Sequence, residues 1–338
     1  MARLRRATGE LAQDELSRQV TRSFTADDGR YLAALAGEAL AGRRGHALRP
    51  GWRPVHTRGV LVEGQFTSLG NAGPHAPDHL AAPQVLDVWG RFSSCRADLE
   101  VDDRKKAPRG LAVRIWLPDG RSTDLLGMSV DRFPAASLDA FVSVSHALSS
   151  PLLRRTAKVA FLKVMRQFRG LLVNLTAFAP SSYGRCDYYA IHTFRWVKDG
   201  EQKVRYRWRA DEGRERPLPW RSWRRPADYL QRRLVRRLNE EDRPLKFGLE
   251  IQRPRDVPDS RLVDVGRPLP RNVEWVRVGI LELHHVVDDP ATMKARDGIL
   301  FSPTHLIEGI EPLQGDEIMT ARAAAYPASH VARSGYWP

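Results

Sequence analysis

Cysteine is nearly absent from this chain: two residues, Cys95 and Cys186, among 338. They make neither a disulfide framework nor a metal-binding spacing, so both read as reduced, small core residues. No apolar run approaches the ~20 residues that a membrane-spanning helix requires. The opening MARLRRATGELAQDE turns acidic and polar where a signal peptide needs an apolar stretch, and a cytoplasmic protein is the expectation. Internal repeats and low-complexity tracts are also missing. Acidic residues are the minority, 40 Asp and Glu against 54 Lys and Arg, for a net charge of +14. That surplus admits nucleic acid, an anionic membrane surface or an acidic ligand as partner. No helix-turn-helix, finger or RNP pattern accompanies it, so no nucleic acid is expected, and no motif supports a membrane surface. The basic stretches LLRRTAKVAFLKVMRQFRG (152–170) and WRSWRRPADYLQRRLVRRLNEEDR (220–243) read as solvated faces of an Arg-rich protein.

What is present suffices for a substantial core: 42% hydrophobic residues, with nine Trp. Residues 9–43 read as two short helices, ending at the Gly42-Arg-Arg-Gly45 stop. This makes residues 1–43 an N-terminal helical arm and 44–338 one core domain. Eight later runs alternate or are rich in β-formers: 56–67, 85–95, 109–117, 124–133, 186–197, 202–210, 244–252 and 273–286. Eight strands can close a barrel. DYYAIHTFRW and QKVRYRWR flank Lys198-Asp199-Gly200, a hairpin in which Asp-Gly supplies the turn torsions. Antiparallel pairing is therefore expected to dominate. Helical patterns at 135–150, 152–169, 226–240 and 314–326 are inserted without regular βαβ alternation, giving an α+β class.

The last turn carries the most informative chemistry. In TARAAAYPASHVAR, Arg322 and Tyr326 are spaced i, i+4, which stacks guanidinium over phenol on one helix face. Three alanines between them keep that face flat, as a planar cofactor would need. A phenol ionises near pH 10, so a tyrosine serving as an anionic metal ligand requires a fixed cation beside its oxygen, and Arg322 is placed to be that cation. Pro327 should bend or end the helix.

Read with RPVHTRG (53–59), WGRFSSC (89–95) and RGLAVRIWLPDGRSTDLLG (109–127), this terminal segment resembles the haem-catalase core, over roughly residues 50 to 336. The resemblance implies a catalase-type eight-stranded antiparallel β-barrel with inserted and flanking helices, a heme b cofactor, and Tyr326 as iron ligand. Among tyrosine-ligated haems catalase is itself the standard case. By the same resemblance, His56 is the distal base that takes a proton from bound peroxide and returns it to the departing oxygen. Ser93 orients His56 through its other ring nitrogen. Arg53 and Arg91 face haem propionates, Arg333 is a third propionate or ligand-side arginine, Val55 lines the haem face and His330 is structural. Phe133 and Phe141 complete an apolar wall. Catalase relatives assemble, so a homo-oligomer that exchanges the arm at 1–45 is compatible with the sequence.

One position departs from the family. Catalases carry an asparagine after the glycine of the DLxGNN segment, and its amide helps hold hydrogen peroxide. Here DLLGMSVDRF places Met128 there, and a thioether donates no hydrogen bond. Ser129 is adjacent but should point to the opposite face of the strand. The expectation is weak catalase turnover, with hydrogen peroxide or an organic hydroperoxide driving oxidation of an organic co-substrate. Two alternatives stand beside it: a fatty-acid hydroperoxide isomerase or dehydratase of the allene oxide synthase type, and a non-enzymatic haem-binding protein whose site Met128 closes. Only twelve residues follow Tyr326, so the expected type is the minimal, catalase-related peroxidase, and NADPH-binding residues do not carry over. His284 and His285, with Asp288 and Asp289 close behind, read as a polar strand end because adjacent strand residues face opposite ways.

Overall fold

Alternating runs pair with their sequence neighbours until the sheet meets itself. The computed structural model describes residues 53, 55–96, 102–142, 170, 173–174, 177, 179–214, 224–289 and 299–334. The expected arm at 1–43 and, apart from Gly170, the basic stretch at 152–170 lie outside them. Strands β1 (Gly59–Leu69), β2 (Pro83–Ser94), β3 (Arg109–Trp116) and β4 (Ser122–Met128) form a meander. The expected single run at 186–197 is two short strands, β5 (Tyr188–Tyr189) and β6 (Phe194–Trp196), followed by β7 (Gln202–Ala210), β8 (Leu245–Gln252) and β9 (Val276–Val286). β5 bridges β4 to β7, β7 pairs β8, and β8 pairs β9, which returns to β1. Eight antiparallel strands thus close a barrel with no free edge. β6 leaves the barrel to pair with β7 and with a further short strand, β10 (Ile310–Pro312). The expected hairpin is present between β6 and β7, with Asp199 at φ 53° and Gly200 at φ 131° in its turn. These are the left-handed torsions that Asp and Gly tolerate best.

Period-two alternation fixes which side chains fill the barrel. Phe92, Leu111 and Leu125 point into the main core, where Phe92 stacks on Tyr183 at 4.7 Å and Phe66 meets Trp208 edge-on at 6.0 Å. Each such buried side chain stabilises by roughly 1.5–3 kcal/mol. The intervening residues of β2, β3 and β4 face outward, and the candidate site lies on that outer face.

Helices are few among the described residues. α1 (Asp78–Ala81) and α3 (Asp259–Leu262) are single turns. α2 (Tyr229–Val235) runs into a π-helical turn at Arg236–Glu240, and α4 (Glu317–Ser334) lies last. α4 continues through Pro327 rather than stopping there. It begins on a cap: Asp316 Oδ1 accepts from the Met319 N–H at 2.9 Å. In β9 the register skips His284 opposite Glu63 and Gly64, a β-bulge. A Cβ on Gly64 would lie 1.9 Å from the Glu282 carbonyl oxygen, so only glycine fits beside the bulge. No group of three or more His, Cys, Asp or Glu able to hold a metal ion occurs there or elsewhere among the described residues. No helix among them is long and apolar enough to cross a membrane.

Candidate active site

One row of cross-strand partners builds the floor of the site. Gly59 of β1 pairs with Ser93 of β2, Ser93 with Gly110 of β3, Gly110 with Met128 of β4, and Met128 with Tyr189 of β5. The next outward-facing row brings Arg91, Ala112 and Leu126 into register. Of these two rows, Ser93, Gly110, Met128, Arg91, Ala112 and Leu126 line a cavity of about 190 Å³, walled on other sides by Phe133 and Phe141, the 300–303 segment and α4.

His56 precedes β1 in a left-handed conformation, φ 56°, which costs a non-glycine residue energy and persists only where its surroundings hold it. Two contacts do so. The Arg91 guanidinium donates to the carbonyls of His56 (3.0 Å) and Thr57 (3.4 Å), and His56 Nδ1 lies 2.8 Å from Ser93 Oγ. Glycines make room for both groups. A Cβ on Gly59 would sit 2.3 Å from the Arg91 guanidinium carbon, and one on Gly110 would sit 3.0 Å from His56 Cε1. Burial, reinforced by the cations of Arg91, Arg322 and Arg53, pushes the His56 pKa from 6.5 down to about 3. The imidazole is therefore neutral at neutral pH and carries a lone pair.

Opposed to this loop in the chain's logic is a chain of contacts on α4. Arg322 donates to the Tyr326 phenol oxygen at 2.6 Å, its guanidinium carbon 5.1 Å from the ring centre. It also lies 2.7 Å from His192 Nε2. An arginine only donates, so Nε2 accepts and the His192 proton resides on Nδ1, 2.6 Å from Asp316 Oδ2. Burial holds the His192 pKa below its ordinary value even with Asp316 opposing. The carboxylate that caps α4 thus fixes, through imidazole and guanidinium, a phenol three turns farther along the same helix. Nothing local marked His192 or Asp316, which are 124 residues apart in sequence. The available signal was Asp316 as a helix cap, combined with a lone histidine in a strand run.

All the residues expected at the site except Arg333 line this cavity: Arg53, Val55, His56, Arg91, Ser93, Met128, Phe133, Phe141, Arg322 and Tyr326. Arg333 falls on α4, with its side chain outside the described residues. Phe133 and Phe141 pack 5.1 Å apart, with Met128 against the same cluster. Ser129 faces away and is spent on strand pairing, its hydroxyl accepting from the Arg109 N–H at 2.8 Å. His330 is buried. Arg91 reaches the backbone of the His56 loop, and Arg53 donates to the Ile299 carbonyl at 3.1 Å.

A haem-type group fits this donor set. Tyr326 offers the cavity one oxygen ligand and, among the described residues, no cluster of protein donors accompanies it, so an iron there needs its remaining donors from a macrocycle. Apolar walls suit the flat faces of such a group and the arginines suit its carboxylates. The family model for catalase matches residues 49–337. The chain belongs to the catalase family. Catalase-related peroxidases from Synechococcus elongatus (26% identical over 293 residues, 84% of each chain) and Mycolicibacterium paratuberculosis (27% over 309 residues, 88% of this chain and 93% of that protein) match along most of their length. Catalase B of Aspergillus oryzae is 24% identical over 317 residues, 84% of this chain but only 41% of that protein. A crystal structure of a fungal catalase superposes with a TM-score of 0.69 at 19% identity, over 85% of this chain and 60% of that one, and shows the fold alone. In extent this catalase-family chain is of the short, peroxidase type, and it is an oxidoreductase.

Proposed function

We propose that this protein is a heme b peroxidase that uses hydrogen peroxide or an organic hydroperoxide to oxidise an organic co-substrate and releases little oxygen from hydrogen peroxide. The observation that carries the reading is Met128. It stands on the cavity floor, one strand over from the glycine that seats the His56 ring, where an amide would otherwise donate to peroxide. Ser129 does not take over, because its side chain lies outside the cavity lining, where its hydroxyl accepts from the Arg109 N–H.

When bound, the haem supplies a redox-active iron at which the peroxide O–O bond is cleaved. Tyr326 would hold that iron, and Arg322 is the fixed cation beside the phenol oxygen. Arg53 and Arg91 are the candidates for the carboxylates, Val55, Phe133 and Phe141 for the flat faces. His56 takes the proton of the incoming hydroperoxide on Nε2 and returns it to the oxygen that departs. That role requires Nδ1–H to donate to Ser93 Oγ, which leaves Nε2 as the lone-pair nitrogen. A wall that lacks a donor loses affinity for small, hydrated hydrogen peroxide and favours a peroxide with an apolar arm. The cytoplasmic setting and a homo-oligomeric assembly belong to the same reading, as does the core domain at 44–338 with its arm at 1–43.

The test is the absorption spectrum of the haem-supplemented protein, followed by titration with hydrogen peroxide and with cumene hydroperoxide while oxygen is monitored. A high-spin ferric, phenolate-type spectrum, reaction with the organic peroxide and little gas are expected. Vigorous oxygen release would remove the role given to Met128, and a low-spin, unreactive spectrum would remove the enzyme.

A further inference from the structure

Beyond the two rows of the floor, strand register sets a third: Trp89 of β2 pairs with Arg114 of β3, and Arg114 with Asp124 of β4. Period-two alternation turns the charged pair to the outer face of the barrel. The 300–305 segment lies over it there, and the two side chains are only 5% and 0% exposed. Arg114 Nε and Nη2 donate to the two oxygens of Asp124, each at 2.7 Å. The same Nη2 donates to the Leu300 carbonyl at 2.7 Å, and Asp124 Oδ2 accepts from the Ser302 N–H at 2.8 Å. The Leu300 carbonyl belongs to the peptide bond before Phe301, and the Ser302 N–H to the one after it. One ion pair thus grips Phe301 on both sides of its own backbone. The Asp124 N–H extends the grip to the His305 carbonyl at 2.8 Å.

A buried ion pair is a poor way to gain stability, because desolvating two charges offsets most of their attraction and a well-packed apolar pair does as well. Its particular property is direction: a guanidinium fork and a carboxylate fix where their partners lie. The partners here are the segment that brings Leu300, Phe301 and Pro303 to the cavity. Phe301 packs against Ala112, also a cavity residue, in a small cluster with Leu61 and Val287. Its ring centre lies 5.6 Å from the Arg114 guanidinium carbon. We infer that Arg114 and Asp124 are positioning residues for the cofactor, which set the Phe301 wall of the cavity where a flat ring must meet it and act through that side chain. The inference rests on the haem reading of the cavity and on no step of peroxide chemistry. Tyr326 would hold the iron from α4, whereas this clamp fixes part of the wall from the barrel.

The experiment is transfer of haem from the loaded protein to excess apomyoglobin, followed by absorbance, for the unaltered chain, Arg114→Lys, Phe301→Ala and the variant carrying both changes. Lysine keeps the charge pair but lacks the fork, so it cannot serve both Asp124 oxygens and the Leu300 carbonyl at once. Arg114→Lys and Phe301→Ala should each release haem about 10-fold faster, the usual scale for a residue that supports a ligand contact. The double variant should stay within about two-fold of Phe301→Ala, since the clamp then has no ring to place. Equal release by Arg114→Lys and the unaltered chain overturns the inference, and so do two effects that multiply to about 100-fold. If Arg114→Lys does not fold, Arg114→Met/Asp124→Leu takes its place, because an apolar pair keeps the fold. Release from it as slow as from the unaltered chain overturns the inference equally. A chain that takes up no haem loses the cofactor reading and the clamp together, and one that holds haem with release unaffected by these changes loses the clamp alone.

Discussion

The two histidines of the cavity are held in opposite ways. His192 sits between a carboxylate and a guanidinium, every ring nitrogen committed, in a line that starts at the cap of α4 and ends on Tyr326. Among the described residues no carboxylate reaches His56. Its ring leans on one hydroxyl, and its backbone is kept in a left-handed turn by Arg91 and two glycines. The first arrangement makes an immobile electrostatic scaffold whose members are satisfied by each other. The second leaves a neutral ring with one nitrogen free for a proton. On the proposed reading, the fold separates the side that holds the cofactor from the side that reacts.

The largest effect should come from breaking the holding side at its end. Tyr326→Phe removes the oxygen that Arg322 and the iron would share, and should lower haem retention and peroxidase turnover by about 10³-fold or more, read from the haem spectrum and co-substrate oxidation. A variant that keeps a phenolate-type spectrum would refute the ligand assignment. On the reacting side, His56→Asn tests the base without breaking the loop, because asparagine tolerates φ near +56°. Turnover with cumene hydroperoxide should fall by roughly 10²–10⁴, while haem binding persists. Met128→Asn restores a donor on the same floor, and oxygen release from hydrogen peroxide should rise by about 10–100-fold. No rise at all would mean that the thioether does not limit dismutation.

The smallest effect is acid lability. Free His56 accepts a proton below pH 6.5, but in the fold it does so only near pH 3. Between those limits the unfolded chain binds the extra proton, so stability falls as pH drops, by up to about 1.4 kcal/mol per pH unit. His56→Asn should take its share out of that dependence between pH 6 and 4 in urea unfolding, while buried His79, likewise pushed down to about 3, keeps its own. An unchanged slope would show that His56 is not the group responsible.

The barrel was legible because its strands alternate and its turns carry their own chemistry: the runs at 109–117, 202–210 and 244–252 lie within a residue of the strands observed. The run at 186–197 was not, since two short strands separated by a bend share one apolar pattern. β10 has three residues and no pattern to read. At the site, Arg322 and Tyr326 were legible because a helix turns sequence spacing into contact. Ser93 and Met128 came from a resemblance, and their adjacency to Gly110 emerged only with strand register. His192 and Asp316 were illegible, because long-range contact carries no local periodicity. Pro327 was legible in part: it does not end α4, which runs through it to Ser334.

The floor of the cavity reads across the barrel instead of along the chain: Ser93, Gly110 and Met128 come from three strands. Each position can therefore change alone, and a substrate preference can drift by single replacements without disturbing its neighbours. Insertion or deletion is another matter. One residue gained within β2, β3 or β4 would turn every later side chain of that strand from cavity to core, so this site should evolve by exchange of residues and hardly at all by changes of strand length.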